Sequence, residues 1–167
     1  MTRMRLFMTM FVLASVAVVG LVYARTANAR AVALTAQDYT AITELYARLY
    51  QGSDLREMDV WLSNFADDAV FVFPTGDQVA GKKALGEWRA KSFGGGTGDS
   101  KRRHWVSGVM LTPMPEGVAK ARAYWLMLDA SGKQPVVAQS GYFDDLFVKT
   151  ATGWKFKKHA VNMDPGR

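Results

Sequence analysis

Cysteine is absent from all 167 residues of this sequence. Its absence excludes disulfide scaffolds, thiolate zinc sites, iron–sulfur clusters and cysteine nucleophiles. Charged residues are too few for a disordered chain, at 22%, whereas hydrophobic residues reach 49%. No internal repeat, long linker or low-complexity tract divides the sequence. These figures predict one globular domain whose core is large enough to be stable without disulfides.

Motifs for metal and phosphate binding are missing as well. The sequence has neither an H-E-x-x-H motif nor two histidines at ligand spacing, so no metal is predicted. The glycine-rich residues 94–98 do not have the G-x-x-x-x-G-K-[S/T] form of a phosphate-binding loop, and we expect them to form a lid or hinge beside a cavity. A G-x-S-x-G nucleophile elbow is also absent. The sequence therefore predicts neither a metal nor another cofactor.

The N-terminus has the features of an export signal. Two arginines among the first five residues precede residues 6–23, which are almost wholly apolar, and an A-N-A tripeptide ends at Ala29. We expect residues 1–29 to be a signal peptide and residues 30–167 to form a periplasmic or secreted domain. The alternative is an uncleaved N-terminal anchor that holds the domain outside the cytoplasm, because the apolar run approaches the ~20 residues that span a bilayer.

Half of the excess positive charge belongs to that N-terminal segment. It carries three arginines and no acid, so the 21 basic and 15 acidic residues of the whole chain become 18 and 15 after cleavage. A net charge of +3 is ordinary for a solvated surface and does not predict nucleic-acid binding. The only membrane contact that we expect is through an uncleaved N-terminal segment.

Helical spacing of apolar residues predicts three helices in the first half of the domain. Thr35 and Asp38 form a capping pattern at the start of the first helix. The Gly-Ser-Asp sequence at residues 52–54 is predicted to break that helix and to cap a second one, which buries Trp61. Residues 82–93 predict the third helix.

Strand patterns dominate the second half of the domain. Residues 69–73 predict one short strand before the third helix. After the glycine-rich segment the apolar period becomes two, which predicts four longer strands at residues 103–111, 118–128, 136–149 and 154–161. This order predicts an α+β domain in which helices pack on one face of a mainly antiparallel sheet.

Several short motifs carry a resemblance to a known superfamily. They are Tyr46-Ala47-Arg48, residues 61–71 (W-L-S-N-F-A-D-D-A-V-F), residues 81–85 (G-K-K-A-L), Arg103-His104, residues 141–146 (G-Y-F-D-D-L) and residues 153–156 (G-W-K-F). With the order of helices and strands, they make the sequence similar to the nuclear transport factor 2-like superfamily, and most similar to its SnoaL-like domain proteins. The resemblance implies a cone-shaped fold, with three N-terminal helices packed on a strongly bent sheet.

A deep, mostly apolar cavity at the wide end of the cone is the functional site that the resemblance implies. Such a cavity would bind a small hydrophobic molecule. The residues that it implies as lining or facing the cavity are Tyr46, Tyr50, Gln51, Trp61, Phe73, Trp88, His104, Tyr124 and Tyr142.

Some relatives are dehydratases, and the scytalone dehydratase pattern aligns with the first half of this chain without a gap. Tyr50 and His104 match the first tyrosine and the first histidine of that pattern. Gln51 stands where the pattern has a carboxylate, Phe73 where it has a second tyrosine, and the second histidine falls near Leu128. A histidine base works best when a carboxylate orients it and stabilises the imidazolium, so the dehydratase mechanism as the family uses it is expected to be absent.

His104 is nevertheless the best candidate for acid–base chemistry, because histidine titrates near neutral pH. Tyr50 would donate a hydrogen bond beside it. Asp144 and Asp145 are candidate replacements for the missing carboxylate, since one of two adjacent strand residues points inward, and Asp144 is assigned to the catalytic set. We expect an inward His104 without a close acid. The other histidine, His159, is expected at the surface.

Two function classes follow from the sequence. The first is an exported binding protein that holds a small hydrophobic molecule with little or no catalysis. The alternative is a dehydratase-like lyase or isomerase that uses His104 as general acid and base. An inward acid near His104 would favour the enzyme.

A homodimer is the assembly that the sequence predicts. Trp105, Val109, Trp125 and Val137 are apolar residues of the predicted strands, and relatives commonly pair through the open face of the sheet.

Overall fold

The computed structural model describes residues 32–165, so the predicted signal peptide and its cleavage site lie outside the described residues. No helix within this range is both long and apolar enough to cross a membrane. The helices and strands follow the predicted order. They are α1 (Ala36–Asp54), α2 (Met58–Ser63), β1 (Phe65–Val72), β2 (Gln78–Ala80), α3 (Lys82–Phe93), β3 (Arg102–Pro113), β4 (Val118–Asp129), β5 (Val136–Thr150) and β6 (Gly153–Met163).

Helix α1 begins where the capping pattern predicts. The Thr35 hydroxyl oxygen accepts a hydrogen bond from the backbone N–H of Asp38, and the Asp38 carboxylate accepts one from the backbone N–H of Thr35. The same carboxylate accepts hydrogen bonds from Lys149 Nζ at 2.7 Å and from Trp154 Nε1 at 2.9 Å. Asp38 therefore ties the start of α1 to strands β5 and β6.

The predicted helix break at residues 52–54 is wrong. These residues form the last turn of α1, and α2 begins only at Met58. Gly52 allows a close approach of α2, since a Cβ at this position would lie 2.8 Å from the backbone nitrogen of Trp61. Asp54 caps no helix, because the residue before α2 is Glu57. The Asp54 side chain is buried and available for another role.

The six strands form one strongly curved mixed sheet in the order β2-β1-β6-β5-β4-β3. Every neighbouring pair is antiparallel except β1 and β6, which are parallel. The prediction of an α+β fold with a mainly antiparallel sheet is therefore confirmed. The curvature brings inward-pointing residues of β6, β5 and β3 together around one cavity.

Alternation along the strands separates an inner face from an outer face. On β4, Trp125 points inward and is 4% exposed, whereas its neighbour Tyr124 points outward and is 64% exposed. The prediction that Trp125 shares an outer face with Trp105 is therefore wrong. Val109 also packs against the core, because a β-bulge between Ser107 and Met110 shifts the alternation of β3.

Candidate active site

A cavity of about 420 Å³ lies between α1, α3 and the inner face of the sheet. Seven aromatic side chains line it, and six ionisable side chains besides Tyr50 lie among them. The aromatic residues are Tyr50, Trp61, Phe71, Phe73, Phe93, Trp125 and Phe143, and the other ionisable ones are Asp54, Arg56, Arg89, Arg102, His104 and His159. An apolar cavity with a few convergent polar groups is the usual form of a small-molecule site.

His104, on β3, forms the first histidine–aspartate pair of the cavity with Asp54, the last residue of α1. Asp54 Oδ1 lies 2.6 Å from His104 Nδ1, and Asp54 Oδ2 accepts a hydrogen bond from the backbone N–H of His104 at 2.8 Å. An ionised carboxylate only accepts hydrogen bonds, so the neutral ring carries its proton on Nδ1 and its lone pair on Nε2. Nothing among residues 32–165 hydrogen-bonds to Nε2.

The expectation that His104 points inward is met, but the expectation that no acid lies close to it is wrong. The ring does face the cavity, but a carboxylate holds it, and that carboxylate is neither Asp144 nor Asp145. Asp144 lies on the outer face, where it accepts two hydrogen bonds from Arg122 at 2.8 and 3.0 Å. Asp144 is consequently removed from the catalytic set.

His159, on β6, forms the second histidine–aspartate pair with Asp145 of β5. Asp145 Oδ1 lies 2.9 Å from His159 Nδ1 and 3.0 Å from the backbone nitrogen of Ala160, and Oδ2 accepts a hydrogen bond from the Tyr46 hydroxyl at 2.6 Å. Both side chains of the pair are 0% exposed. The prediction that His159 lies at the surface is wrong, because β6 runs through the middle of the sheet and His159 falls on its inner face.

Tyr50 of α1 stands between the two pairs. Its hydroxyl lies 2.8 Å from His159 Nε2, and its ring stacks on His104 with a centroid separation of 4.7 Å. Since Asp145 fixes the His159 proton on Nδ1, Nε2 accepts the Tyr50 hydrogen. Burial, and the nearby negative charge of Asp145, raise the pKa of Tyr50 well above its ordinary value. Tyr50 therefore remains a neutral phenol.

Arg89 of α3 brings a positive charge into the cavity. Its guanidinium carbon lies 4.6 Å from the Phe93 ring centroid and 5.0 Å from that of Trp61, within the range of cation–π attraction. One terminal nitrogen donates to the Ser53 hydroxyl. Burial lowers the pKa of Arg89 to about 10, which still leaves it cationic at neutral pH.

Some residues implied as lining the cavity are where the sequence predicts them. Tyr50, Trp61, Phe73 and His104 all line it. Trp88 stands one layer behind, with its ring 5.0 Å from that of Phe73.

Four other residues implied as facing the cavity do not line it. Tyr46 is buried beneath the cavity, where its hydroxyl donates a hydrogen bond to Asp145. Gln51 is exposed on α1, since it follows Tyr50 by one residue and so lies on another side of the helix. Tyr124 and Tyr142 are on the outer face of the sheet, because the inward positions of β4 and β5 are the alternate ones.

Asp54, Arg89, Asp145 and His159 are the polar residues of the site that sequence reasoning missed or misplaced. Asp54 had a usable signal, because residues four apart share one face of a helix and Asp54 follows Tyr50 by four. No signal in the sequence indicates the hydrogen bond between His159 and Asp145, because it depends on the register of β5 against β6. Within residues 32–165 no group of three metal-ligating side chains converges.

Comparison with known proteins places the sequence in a family and the fold among solved structures. Residues 34–160 match the SnoaL-like domain family. No curated protein matches the chain significantly. A Nostoc punctiforme protein of unknown function with a cystatin-like fold is 22% identical, with a TM-score of 0.69 and coverage of 81% of this chain and 97% of that one.

Two further solved structures share the fold. A nuclear transport factor 2-like protein with a cystatin-like fold from Novosphingobium aromaticivorans is 15% identical, with a TM-score of 0.66 and coverage of 78% and 84%. A structure from Catenulispora acidiphila in complex with S-DNPA is 21% identical, with a TM-score of 0.67 and coverage of 78% and 96%. At these identities the likeness concerns the fold alone.

Proposed function

This chain belongs to the SnoaL-like domain family, and we propose that it is a lyase or isomerase that moves a proton on a small, mainly apolar molecule in its cavity. The observation that carries the proposal is the Asp54–His104 pair, whose Nε2 lone pair faces the cavity. An inward carboxylate beside His104 is the feature that separates an enzyme from a simple binding protein.

His104 is the base in this proposal. Asp54 holds the ring in the tautomer that leaves Nε2 free, and its negative charge stabilises the imidazolium that forms when Nε2 takes a proton. The aromatic walls lower the local dielectric and so strengthen that interaction. The His104 side chain is 15% exposed, which leaves it within reach of a bound molecule.

The proposed reaction moves one proton. Nε2 takes it from a carbon beside a carbonyl group, and the electrons of the C–H bond pass into an enolate. In a lyase, the enolate then expels a hydroxyl group, which takes the proton from His104 and leaves as water. In an isomerase, His104 returns the proton to a different carbon. Both routes restore neutral His104.

The second pair has a positioning role. The Tyr50 hydroxyl donates to His159 Nε2, so neither nitrogen of that ring is open to a substrate. The Tyr50–His159–Asp145 chain holds the Tyr50 ring in its stack against His104. A fold neighbour was solved in complex with S-DNPA, which supports the proposal that this chain also binds a ligand.

The proposal is tested with a probe that reports on a buried base directly. 5-Nitrobenzisoxazole opens when a base removes its ring C–H proton: the C–H electrons form a nitrile, the N–O bond breaks, and a coloured phenolate is released. The wild-type protein should accelerate this ring opening, and His104→Gln should lower the rate by roughly 10²–10⁴-fold, the usual contribution of a positioned base.

Asp54→Asn should give a loss of similar size for a different reason. The asparagine oxygen keeps the backbone hydrogen bond of His104, so its NH₂ group faces Nδ1 and drives the ring proton to Nε2. Asp144→Asn is the matched control on the outer face and should leave the rate unchanged. Ring opening no faster than with free imidazole, or a His104→Gln variant that retains the rate, would contradict the proposal.

Export is the second part of the proposed function. The basic, apolar and small-residue order of residues 1–29 supports a signal peptide. Mass spectrometry of protein from the periplasm or medium should find a chain that begins at Arg30. An intact N-terminus in the membrane fraction would support the anchored form instead.

We also propose that the protein is a homodimer that pairs through the outer face of its sheet. Trp105 and Met110 of β3 and Tyr124 of β4 are each about two-thirds exposed there, an unusual amount of apolar surface for a free sheet. Sedimentation at micromolar concentration should give a dimer, and Trp105→Glu should give a monomer. A wild-type monomer would contradict this assembly.

A further inference from the structure

The guanidinium group of Arg89 is largely buried but uses few of its hydrogen-bond donors. A guanidinium group has five N–H donors. Only one of these has a protein partner, the Ser53 hydroxyl, and Nε is buried without any partner among residues 32–165. The rings of Trp61, Trp88 and Phe93 surround the charged group at 4.6–5.5 Å. Such a cage holds the cation in the cavity wall but leaves most of its donors unused.

Neither carboxylate of the two histidine–aspartate pairs forms an ion pair with Arg89. Both oxygens of Asp54 accept hydrogen bonds from His104. Both oxygens of Asp145 are occupied as well, by His159, Ala160 and Tyr46. No carboxylate within residues 32–165 lies within 4.0 Å of the Arg89 nitrogens. The charge therefore remains available to a group that enters the cavity.

We infer that the cavity is built for a ring compound that carries a carboxylate, and that Arg89 binds the carboxylate while the aromatic walls hold the ring. Guanidinium matches a carboxylate with two parallel hydrogen bonds, and Arg89 has the free donors for both. The low dielectric of an aromatic cavity strengthens the pairing, and a buried cation with unused donors gains most when an anion satisfies it.

The inference names a substrate class for the proposed enzyme, and in that respect it rests on the proposed function. Binding of a carboxylate at Arg89 does not itself depend on catalysis by His104. Arg89 and His104 line the same cavity from α3 and β3. A carboxylate at Arg89 thus fixes one end of the molecule while another part of its ring system lies against Nε2 of His104. Arg89 is a binding residue in this arrangement and takes no part in the proton transfer.

The test compares two probes of the same shape and different charge. 1-Naphthylacetate carries a carboxylate, and 1-naphthylacetamide replaces it with a neutral amide. Titration calorimetry at neutral pH should give wild-type protein an affinity at least roughly 10-fold higher for the carboxylate. Arg89→Gln should lower carboxylate affinity by roughly 10–100-fold and change amide affinity little. Arg89→Lys, which keeps a point charge but not the two-donor geometry, should retain part of the preference.

Arg122→Gln is the matched control, because Arg122 lies on the outer face beside Asp144. It should leave both affinities unchanged. If Arg89→Gln fails to fold, Arg89→Lys and the salt dependence of wild-type binding still test the charge, since only the carboxylate should weaken at high salt. Equal affinities for the two probes, or binding of neither, overturns the inference.

Failure of this inference is distinguishable from failure of the proposed enzyme. His104→Gln should slow ring opening of 5-nitrobenzisoxazole by roughly 10²–10⁴-fold and preserve the preference for 1-naphthylacetate. A protein that prefers the carboxylate but opens no ring keeps this inference and loses the enzyme. A protein in which Arg89→Gln slows ring opening without changing probe preference would overturn the inference, because Arg89 would then act on developing charge rather than on a bound carboxylate.

Discussion

The two histidine–aspartate pairs of the cavity use the same side chains in opposite ways. In the Asp54–His104 pair the outer nitrogen of the ring is open to the cavity, and the side chains are 8% and 15% exposed. In the Asp145–His159 pair the outer nitrogen is covered by the Tyr50 hydroxyl, and neither side chain is exposed. In the proposed function, only the pair whose second nitrogen is uncovered can exchange a proton with a substrate.

The position of each pair in the fold explains the difference. Asp54 and His104 meet where the end of α1 crosses β3, at one edge of the sheet and beside the cavity mouth. Asp145 and His159 lie on β5 and β6 in the middle of the sheet, beneath Tyr46 and Tyr50. The first pair can therefore serve chemistry, whereas the second joins the helix to the sheet.

Removal of the carboxylate should change the free energy of unfolding by different amounts for the two pairs, and removal of Asp145 should change it more than any other variant considered below. Asp145→Ala leaves Tyr46, His159 and the Ala160 N–H without an acceptor in a fully buried place, and we expect it to lower the free energy of unfolding by about 3–5 kcal/mol. Asp54→Ala leaves donors that water in the cavity can reach, and it should cost about 1–2 kcal/mol. Urea denaturation of both variants measures the difference.

Asp144→Ala is the control for this pair of variants, since it removes the adjacent carboxylate on the outer face and should not change the unfolding midpoint. Equal destabilisation by Asp54→Ala and Asp145→Ala would contradict the division between a reactive and a structural pair.

The sequence predicts the scaffold of this site better than its chemistry. Capping at Thr35, apolar periodicity and turn residues depend on neighbours in sequence, and these predicted α1, the third helix and the four long strands with small errors at their ends. The resemblance to SnoaL-like proteins predicted a cavity that His104 and Tyr50 line. These features follow from local rules or from a family pattern that covers most of the chain.

The pairing of acids with histidines could not be predicted in the same way. Asp54 meets His104 across 50 positions of sequence, and Asp145 meets His159 only because of the register of two strands. The Gly-Ser-Asp sequence predicts a helix break with Asp54 as a cap, but α1 continues through Asp54 and its side chain turns to His104 instead. Arg89 was missed because nothing local indicates that an arginine points into a cavity.

A third buried carboxylate sharpens the comparison with a pH test. Asp38 pairs with Lys149 rather than with a histidine, and hydrogen bonds from Lys149 and Trp154 hold the pKa of Asp38 well below its usual range. A lowered folded-state pKa stabilises the protein above the ordinary carboxyl pKa, and this stabilisation disappears as pH falls below it.

Asp38→Asn should therefore lower the free energy of unfolding by about 2 kcal/mol at neutral pH, the scale of hydrogen bonds to a charged group. The gap between variant and wild type should narrow as pH falls from about 4 to 2, because the Asp38 carboxyl of the unfolded wild-type chain then takes up a proton while that of the folded protein stays ionised. Thermal unfolding across that range measures it. If the difference in free energy of unfolding did not depend on pH, the negative charge of Asp38 would make no contribution to stability.

Tyr50→Phe gives the smallest effect and separates the two pairs most directly. The change keeps the ring that stacks on His104 and removes only the hydroxyl that covers His159 Nε2. The uncovered nitrogen loses one hydrogen bond, so we expect a loss of about 1 kcal/mol in the free energy of unfolding. The rate of ring opening of 5-nitrobenzisoxazole should fall by no more than roughly 3-fold, because the base, His104, and its partner Asp54 are unchanged. Its pH–rate profile should also match that of the wild type, since burial already keeps the pKa of Tyr50 too high for the phenol to ionise. A loss approaching that of His104→Gln would instead make Tyr50 a proton donor and extend the reactive group through His159 to Asp145, so that the two pairs would act as one.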